Sequence, residues 1–328
     1  MRTLVLNHSD VVRMLPAGEC IEVMAGALTA LANGKVFQPL RTAAVAPGAK
    51  GILGLMPSYM SGASSYYGLK AVCVFPGNSA RGLDSHQGAV LLFSGETGEL
   101  LAVVNASAIT SIRTAAVSAL ATRLLAQPDA GDLAIIGAGV QARVHLDAIA
   151  CVRPIRRVRV ASRNFDSARA FVDEVRGKVS FPIDAVETVQ AALVGADLIV
   201  TATTSREPIL KREWVASGAH LNVVGSSVKS TREIDTATMA AASLFVDRRE
   251  STLNESGDYL FAAREGAIGP DHIKAELGEI LAGQRAGRAS EGEITLFKSL
   301  GLGVEDLASA EYLYRKAGET GAGIWTEF

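Results

Sequence analysis

The chain has 328 residues, of which 48% are apolar and 20% are charged, and its formal net charge is −2. This composition predicts a globular protein large enough for two domains and excludes a disordered chain. The small net charge excludes a broad electrostatic surface for nucleic acid or for an anionic membrane. Because we find neither a signal-peptide pattern nor an apolar stretch of membrane-spanning length, the expected location is the cytoplasm. Cys20, Cys73 and Cys151 lack metal-ligand spacing and are expected to be buried, reduced thiols.

The first hundred residues predict a helix and an antiparallel or mixed sheet. A short strand is predicted at residues 3–6, and apolar residues at helical spacing predict a helix over residues 16–33. β-branched residues predict a strand over residues 68–75, and a glycine turn joins two further strands, 89–93 and 100–104, into a hairpin.

Two cations in this sheet have small or apolar neighbours. Arg41 follows the extended segment around Pro39, so it is either a solvated edge residue or a guanidinium aimed at an anionic ligand. Strand alternation places Lys70 on the same side as Val72 and Val74. Lys70 therefore either extends past the end of the strand or lines a cavity where its ammonium meets a substrate.

A third cation, Arg113, stands at the start of a predicted helix. Start signals at Thr110 and Ser111 precede a run of strong helix formers that extends to Ala126. In the first turn a cation opposes the helix dipole by about 0.3–1 kcal/mol. We therefore expect an anion beside Arg113; the alternative is an exposed arginine that carries a small penalty.

From residue 131 onward, predicted strands alternate with helices, which is typical of a doubly wound parallel sheet. The predicted strands cover residues 133–136, 158–161, 181–185, 197–202, 220–224 and 244–247. The segments 251–261 and 271–281 are predicted to lie on the surface or to serve packing. A closing helix over residues 304–316, with Glu305 and Asp306 in its first turn, is expected to return to the first domain.

A glycine turn follows the first strand of this region, in the sequence Gly137-Ala138-Gly139-Val140-Gln141-Ala142. Such a turn brings backbone N–H groups to a pyrophosphate at the start of a helix, and a small third residue lets the helix pack on the strand. It predicts a dinucleotide site; the alternative is an ordinary strand-to-helix turn.

Three further strand ends are predicted to contact the cofactor. The second strand ends in Ser162-Arg163-Asn164, and the hydroxyl and guanidinium there suit a 2′-phosphate where an acid would repel it. The predicted cofactor is therefore NADP(H), with NAD(H) as an alternative. The small residues that can border a nicotinamide ring are Thr201, Ala202, Thr203, Val224, Gly225 and Ser227.

Taken together, these motifs resemble the ornithine cyclodeaminase and mu-crystallin family, which includes alanine dehydrogenases and ketimine reductases. The resemblance covers nearly the whole chain. It rests on Pro39-Leu40-Arg41, Gly68-Leu69-Lys70, Ser85-His86-Gln87, Ile112-Arg113-Thr114-Ala115-Ala116-Val117-Ser118-Ala119, the glycine turn, Phe297-Lys298-Ser299-Leu300-Gly301 and Val304-Glu305-Asp306.

This resemblance implies a homodimer in which the first domain, with the C-terminal helix, forms the subunit contact and half of the active site. We expect a substrate and dimerisation domain of residues 1–118 with 304–328, and a Rossmann domain of residues 119–303. The resemblance implies that Arg41, Lys70 and Arg113 hold and polarise the substrate. Arg113 and Gly301 are also expected to contact the cofactor, and His86 is a second candidate for proton transfer, although a lone histidine can be structural.

One departure distinguishes among the activities that the resemblance implies. Ornithine cyclodeaminases carry an aspartate after the fifth strand, where this chain has Ser227. The loss of that carboxylate disfavours ornithine cyclisation and favours reduction of a small α-imino acid to the L-amino acid. Candidate substrates are Δ1-pyrroline-2-carboxylate and its six-membered analogue Δ1-piperideine-2-carboxylate, as in proline metabolism, or the acyclic iminosuccinate. The alternatives are a deaminating enzyme, either an ornithine cyclodeaminase or an alanine dehydrogenase, and a non-catalytic protein that binds NADPH and a small ligand.

Overall fold

The computed structural model describes residues 2–327, without the side chains of residues 79 and 80. The chain forms two compact units: unit 1 is Met1–Thr114 with Gly301–Phe328, and unit 2 is Ala115–Leu300. No single helix among the described residues has the length and apolar character to cross a membrane; one pair of consecutive helices, bent by 85°, meets these two criteria together.

The helices and strands are numbered in chain order. The elements up to residue 125 are β1 (Arg2–Leu6), α1 (His8–Met14), α2 (Ala17–Ala32), β2 (Val36–Phe37), β3 (Thr42–Ala44), β4 (Ile52–Met60), β5 (Tyr66–Val74), β6 (His86–Ser94), β7 (Leu100–Asn105) and α3 (Ala106–Leu125). The later elements are β8 (Asp132–Ile136), α4 (Val140–Ala150), β9 (Arg157–Ala161), α5 (Phe165–Val175), β10 (Ile183–Val186), α6 (Val189–Leu193), β11 (Leu198–Thr201), β12 (His220–Val223), α7 (Thr236–Ala241), β13 (Ser243–Val246), α8 (Arg249–Glu255), α9 (Gly257–Arg264), β14 (Ile273–Glu276), α10 (Leu277–Leu281), β15 (Thr295–Lys298), α11 (Gly303–Thr320) and β16 (Ile324–Glu327).

Unit 1 is a mixed sheet with helices packed on it. Its strand order is β16-β1-β7-β6-β5-β4-β2, with β3 paired to β4; β1 and β7 run parallel, and the other neighbours run antiparallel. The C-terminal helix α11 packs on β4, β5 and β6. Gly68 permits this contact, because a Cβ there would lie 2.9 Å from the side chain of Leu307. The start of α11 is capped by Gln38, whose Oε1 accepts a hydrogen bond from the backbone N–H of Val304 at 2.9 Å.

Unit 2 is a doubly wound parallel sheet in the order β10-β9-β8-β11-β12-β15-β13-β14. Alternate residues of β8 pack into two hydrophobic clusters, Leu133 and Ile135 in one and Ala134 and Ile136 in the other. This two-sided burial explains the continuous apolar run in the sequence. From β8 the chain proceeds to β9 and β10 on one side and then crosses to β11 on the other, so the switch point lies between β8 and β11. The predicted fold class is confirmed.

Several local predictions are wrong. Helix α3 begins at Ala106, where Oδ1 of Asn105 accepts a hydrogen bond from the backbone N–H of Ala108, so Arg113 lies about two turns inside the helix and not in its first turn. The segment 271–281, predicted to lie on the surface or to serve packing, contributes strand β14 to the parallel sheet; the sheet also contains β15, which was not predicted and lies between β12 and β13. Cys151 is exposed and Cys73 is partly exposed, so of the three cysteines Cys20 is the one that is fully buried.

Candidate active site

Lys70 is a buried lysine held by an aspartate of the C-terminal helix. Its side chain is 3% exposed, its Nζ lies 2.7 Å from Oδ2 of Asp306, and it donates a hydrogen bond of 3.5 Å to Oγ1 of Thr110. Burial lowers the pKa of Lys70 to about 8; Asp306 opposes this effect, and the nearby guanidinium groups of Arg113 and Arg41 increase it. An amine with a pKa near the operating pH is suited to proton transfer.

Arg113 lies beside two buried carboxylates. Its Nη1 is 2.7 Å from Oε2 of Glu305, and its Nε is 3.2 Å from Oδ1 of Asp306. Asp306 therefore bridges Arg113 and Lys70 with its two oxygens. The anions that the sequence predicted beside Arg113 include two side chains of the protein itself.

Gly301 brings Arg41 close to this cluster. Its φ is +78°, and a Cβ there would lie 2.4 Å from Nη1 of Arg113, so a residue with a side chain would displace the guanidinium. The carbonyl oxygen of Gly301 accepts a hydrogen bond of 3.4 Å from Nη2 of Arg41. The structure thus brings together the three predicted cations, Arg41, Lys70 and Arg113, and places Gly301 between the two arginines.

His86 lies at the start of β6 and is half-buried. Its Nδ1 is 3.0 Å from Oγ of Ser85. Burial lowers the pKa of His86, and the charges of Lys70 and Arg113 lower it further, while Asp84 opposes them. The imidazole is therefore neutral near pH 7, and each of its ring nitrogens can take part in one hydrogen bond.

This cluster can hold an anion and supply a proton. The ammonium of Lys70 has three N–H groups. It contacts Asp306 and donates a long hydrogen bond to Thr110, so one N–H group can still donate to a ligand. The guanidinium of Arg113 is planar and held on two sides, so its orientation is fixed before a ligand arrives. A small carboxylate with a basic nitrogen matches this set of donors.

In unit 2, the glycine turn between β8 and α4 has the shape that a dinucleotide requires. Gly137 has a φ of +119°, and a Cβ there would lie 2.4 Å from the carbonyl oxygen of Ala202. Gly139 is the N-cap residue of α4 and has open space where its side chain would be, while Ala142 is fully buried. Such an open turn at a helix N-terminus can receive a pyrophosphate. Ala138 lies between the two glycines, and Val140 and Gln141 are the first two residues of α4.

None of the first three residues after β9 is acidic. Ser162 is half-buried and Arg163 is exposed, so the guanidinium is free to reach a phosphate in solvent. Asn164 has a structural function, because its Oδ1 accepts a hydrogen bond of 2.9 Å from the backbone N–H of Asp166 and caps α5.

The ends of β11 and β12 are joined by a glutamate that the sequence did not indicate. Glu233 is fully buried, and its carboxylate accepts hydrogen bonds from Thr201, Thr203 and Gly225. Ser227 follows the end of β12 and is half-buried. Within unit 2, the structure thus brings the predicted residues 201–203 and 224–225 together.

The sequence also missed the roles of Glu305 and Asp306, although it placed them correctly in the first turn of α11. Two adjacent acids between apolar pairs, Gly303-Val304 and Leu307-Ala308, were a signal that these carboxylates face a core and need cations. Glu233 had no comparable signal, because its environment depends on tertiary contacts alone.

Comparison with known proteins agrees with this fold. Residues 1–321 match the model of the ornithine cyclodeaminase/mu-crystallin family. The chain belongs to this family. It is 42% identical to ketimine reductase mu-crystallin from Mus musculus over 282 residues, which are 86% of each chain.

Solved structures of family members superpose on nearly the whole chain. Δ1-pyrroline-2-carboxylate reductase from Thermococcus litoralis, in complex with NADH and L-proline, has a TM-score of 0.95 and 40% identity, covering 98% of this chain and 99% of that one. An archaeal alanine dehydrogenase dimer with bound NAD has a TM-score of 0.93 and 32% identity, covering 100% of both. The predicted family is confirmed, and so is the prediction of an oxidoreductase, since these family members are named as reductases and a dehydrogenase.

Proposed function

We propose that this family member reduces a small α-imino acid to the L-amino acid, with a cyclic ketimine such as Δ1-pyrroline-2-carboxylate or Δ1-piperideine-2-carboxylate as substrate. The observation that carries the proposal is the buried contact of Lys70 with Asp306, 2.7 Å away, beside the oriented guanidinium of Arg113. Relatives that act on such compounds support it.

The residues of unit 1 bind the substrate and supply a proton. Arg113 and Arg41 hold the carboxylate by charge-assisted hydrogen bonds and thereby fix the adjacent imine carbon. Lys70 donates a hydrogen bond to the imine nitrogen and transfers its proton there, while Asp306 keeps the amine charged until that step. His86, neutral and half-buried, is a second candidate for relaying protons.

The residues of unit 2 hold the coenzyme. The open turn from Gly137 to Gln141 receives the pyrophosphate, and the small residues at the ends of β11 and β12 border the nicotinamide. When bound, the nicotinamide supplies a hydride to the imine carbon, which with one proton on nitrogen converts C=N into CH–NH. NADP(H) is the preferred form in this proposal, because Ser162 and Arg163 follow β9 where an acid would select NAD(H).

A homodimer is part of the proposal. The face of the unit 1 sheet opposite α11 carries the partly exposed apolar residues Leu69, Leu91 and Val103, which are aligned across β5, β6 and β7. Tyr67 on the same face is 52% exposed. A broad apolar sheet face of this kind is typical of a protein contact, and a related alanine dehydrogenase is a dimer.

Among the deaminating alternatives, ornithine cyclisation is disfavoured by Ser227, since a serine carries no charge to pair with the second ammonium of ornithine. Both deaminating activities are separate outcomes of a substrate panel. Oxidation of NADPH and NADH is followed with the two cyclic ketimines, with iminosuccinate, and with keto acids in the presence of ammonia; ornithine and alanine are tested with the oxidised coenzymes.

We expect turnover with a cyclic ketimine, and we expect Lys70→Ala and Arg113→Ala each to lower kcat/KM by at least about a hundredfold, which is ~2.7 kcal/mol. Asp173→Asn, at an exposed site of unit 2, is the control and should keep native kinetics. Near-native activity in both alanine variants would contradict the site assignment. Coenzyme binding without turnover on the whole panel would favour a non-catalytic binding protein.

A further inference from the structure

Glu233 is the most densely hydrogen-bonded carboxylate at the end of the parallel sheet. Its Oε1 accepts hydrogen bonds from the backbone N–H of Thr203 at 2.7 Å and from Oγ1 of the same residue at 2.8 Å. Its Oε2 accepts from Oγ1 of Thr201 at 2.8 Å and from the backbone N–H of Gly225 at 2.7 Å. One side chain therefore joins the end of β11 to the end of β12.

The space around Glu233 is fitted to this carboxylate. A Cβ on Gly225 would lie 2.1 Å from the carbonyl oxygen of Thr203 and 2.6 Å from Oε1 of Glu233. The two strand ends can approach each other only because position 225 has no side chain. Glycine and glutamate thus act together to set the distance between the two ends.

A buried ion pair between Asp258 and Lys298 also fixes the backbone of Glu233. Oδ1 of Asp258 accepts a hydrogen bond of 2.7 Å from the backbone N–H of Glu233, and Oδ2 lies 3.0 Å from Nζ of Lys298. Lys298 also donates to the carbonyl oxygen of Ser226 at 2.5 Å, so it fixes the residue after Gly225. Burial raises the pKa of Glu233 and Asp258 adds to this rise, whereas Lys298 and the hydrogen bonds from Thr203 oppose it.

The order of the strands indicates which half of a dinucleotide lies at this edge. The glycine turn follows β8, and β9 on one side ends in Ser162 and Arg163, the position of the adenosine ribose. The nicotinamide half must then extend to the other side of β8, where β11 and β12 end. The residues that Glu233 binds are the ones at that edge.

We propose that Glu233 is a positioning residue for the nicotinamide half of the coenzyme. It acts through Thr201, Thr203 and Gly225, whose backbone path it sets, and it has no contact with the substrate. This inference rests on the proposed function, because it requires that a nicotinamide coenzyme occupy the glycine turn.

The geometry requires a carboxylate and not merely a polar side chain. Each oxygen of Glu233 faces one backbone N–H, which can only donate. In Glu233→Gln, an amide NH2 that faces Thr203 leaves that backbone N–H without its acceptor, and one that faces Gly225 leaves that N–H with only the carbonyl oxygen of Thr201, 3.2 Å away. Glu233→Asp keeps the charge but withdraws both oxygens by one methylene.

The test measures coenzyme binding by titration calorimetry with the whole coenzyme and with its adenosine fragment. The pairs are NADPH with adenosine 2′,5′-bisphosphate, or NADH with ADP, according to which coenzyme the native enzyme binds more tightly. In Glu233→Gln we expect the Kd of the whole coenzyme to rise by at least about tenfold, because one buried hydrogen bond is lost, while the Kd of the fragment stays within about twofold.

Thr201→Val provides a graded variant that removes one hydroxyl donor and leaves the carboxylate in place, so it addresses the inference even if Glu233→Gln does not fold. We expect a smaller rise in the Kd of the whole coenzyme and no change for the fragment. Glu213→Gln, at an exposed site of the same unit, is the matched control.

Equal weakening of fragment and whole coenzyme would assign Glu233 a general structural role and overturn the inference. An unchanged Kd in both variants would overturn it as well. If the native enzyme binds neither coenzyme, the proposed function fails first, and this result is distinct from a failure of the variants.

Discussion

The cluster around Lys70 in unit 1 and the strand edge around Glu233 in unit 2 both bury charge, but they balance it with different partners. In unit 1, buried cations are held by side-chain carboxylates from α11. In unit 2, a buried carboxylate is held mainly by backbone N–H groups and hydroxyls. Side-chain carboxylates tune the pKa of a buried cation and leave some of its N–H groups able to bind a ligand. Hydrogen bonds from the backbone instead fix the path of the chain. We therefore expect substitutions in unit 1 to alter rate and pH dependence, and substitutions in unit 2 to alter coenzyme binding.

The largest effect that would test this contrast is expected from Asp306→Asn. The change removes the charge that raises the pKa of Lys70, so this pKa should fall below its native value of about 8. If Lys70 acts as an acid, activity is present below its pKa and is lost as the pH rises through it. The alkaline limb of the kcat/KM profile should therefore move to lower pH, with kcat/KM at pH 8 lower by about a hundredfold, ~2.7 kcal/mol.

The pH profile distinguishes this effect from a loss of folded enzyme. Removing one partner of a buried ion pair destabilises a protein by about 3–5 kcal/mol, so the Tm of the variant is measured alongside. A lower Tm with an unmoved alkaline limb would show that Asp306 is structural and that Lys70 is not the acid.

A smaller effect, on coenzyme choice, is expected from Arg163→Asp in unit 2. The new carboxylate would repel a 2′-phosphate and accept hydrogen bonds from a ribose, so the ratio of kcat/KM for NADPH over NADH should fall by at least about tenfold and reverse. Arg176→Asp, exposed beyond α5, is the control. A native preference for NADH would contradict the assignment of Arg163. If the KM for the imino acid changed as much as the ratio of kcat/KM for NADPH over NADH, the division of roles between the two units would be contradicted.

The smallest effect on the chemistry is expected from Leu69→Glu. Leu69 precedes Lys70 in β5, and alternation directs it to the opposite face of the sheet, which we propose as the dimer contact. Sedimentation equilibrium should show weaker dimerisation, while the alkaline limb set by Lys70 stays in place. Val12→Glu, at a 51% exposed site on α1, should leave the mass unchanged. A native monomer in solution would contradict the dimer.

The parts of the fold that follow from local pattern could be predicted. The parallel sheet was evident from its apolar runs and glycine turn, and Lys70 was marked by its position on an apolar strand face. Strand β15 was not predicted, because it ends in the buried Lys298, whose charge is balanced only by tertiary contact. The start of α3 was misplaced because the cap at Asn105 was not recognised.

The cations of the site could be predicted, but their partners could not. Arg41, Lys70 and Arg113 each stand out from apolar surroundings in the sequence. The apolar neighbours of Glu305 and Asp306 indicate that these acids face a core, but nothing local shows which strand that helix covers. Gly68 and Gly301, which allow the helix and the guanidinium to approach, likewise acquire their meaning only from long-range contact.

The contact of β5 with α11 also affects the order in which the protein can be made. Lys70 and Asp306 are 236 positions apart, since one is on a strand near the beginning of the chain and the other on its last helix. During synthesis, every residue of unit 2 is available to fold before α11 leaves the ribosome, whereas the sheet of unit 1 must wait for the carboxylates that α11 brings to Lys70 and Arg113. The cluster that we propose as the proton donor is therefore completed last, so a nascent or prematurely terminated chain lacks the acid that pairs with Lys70.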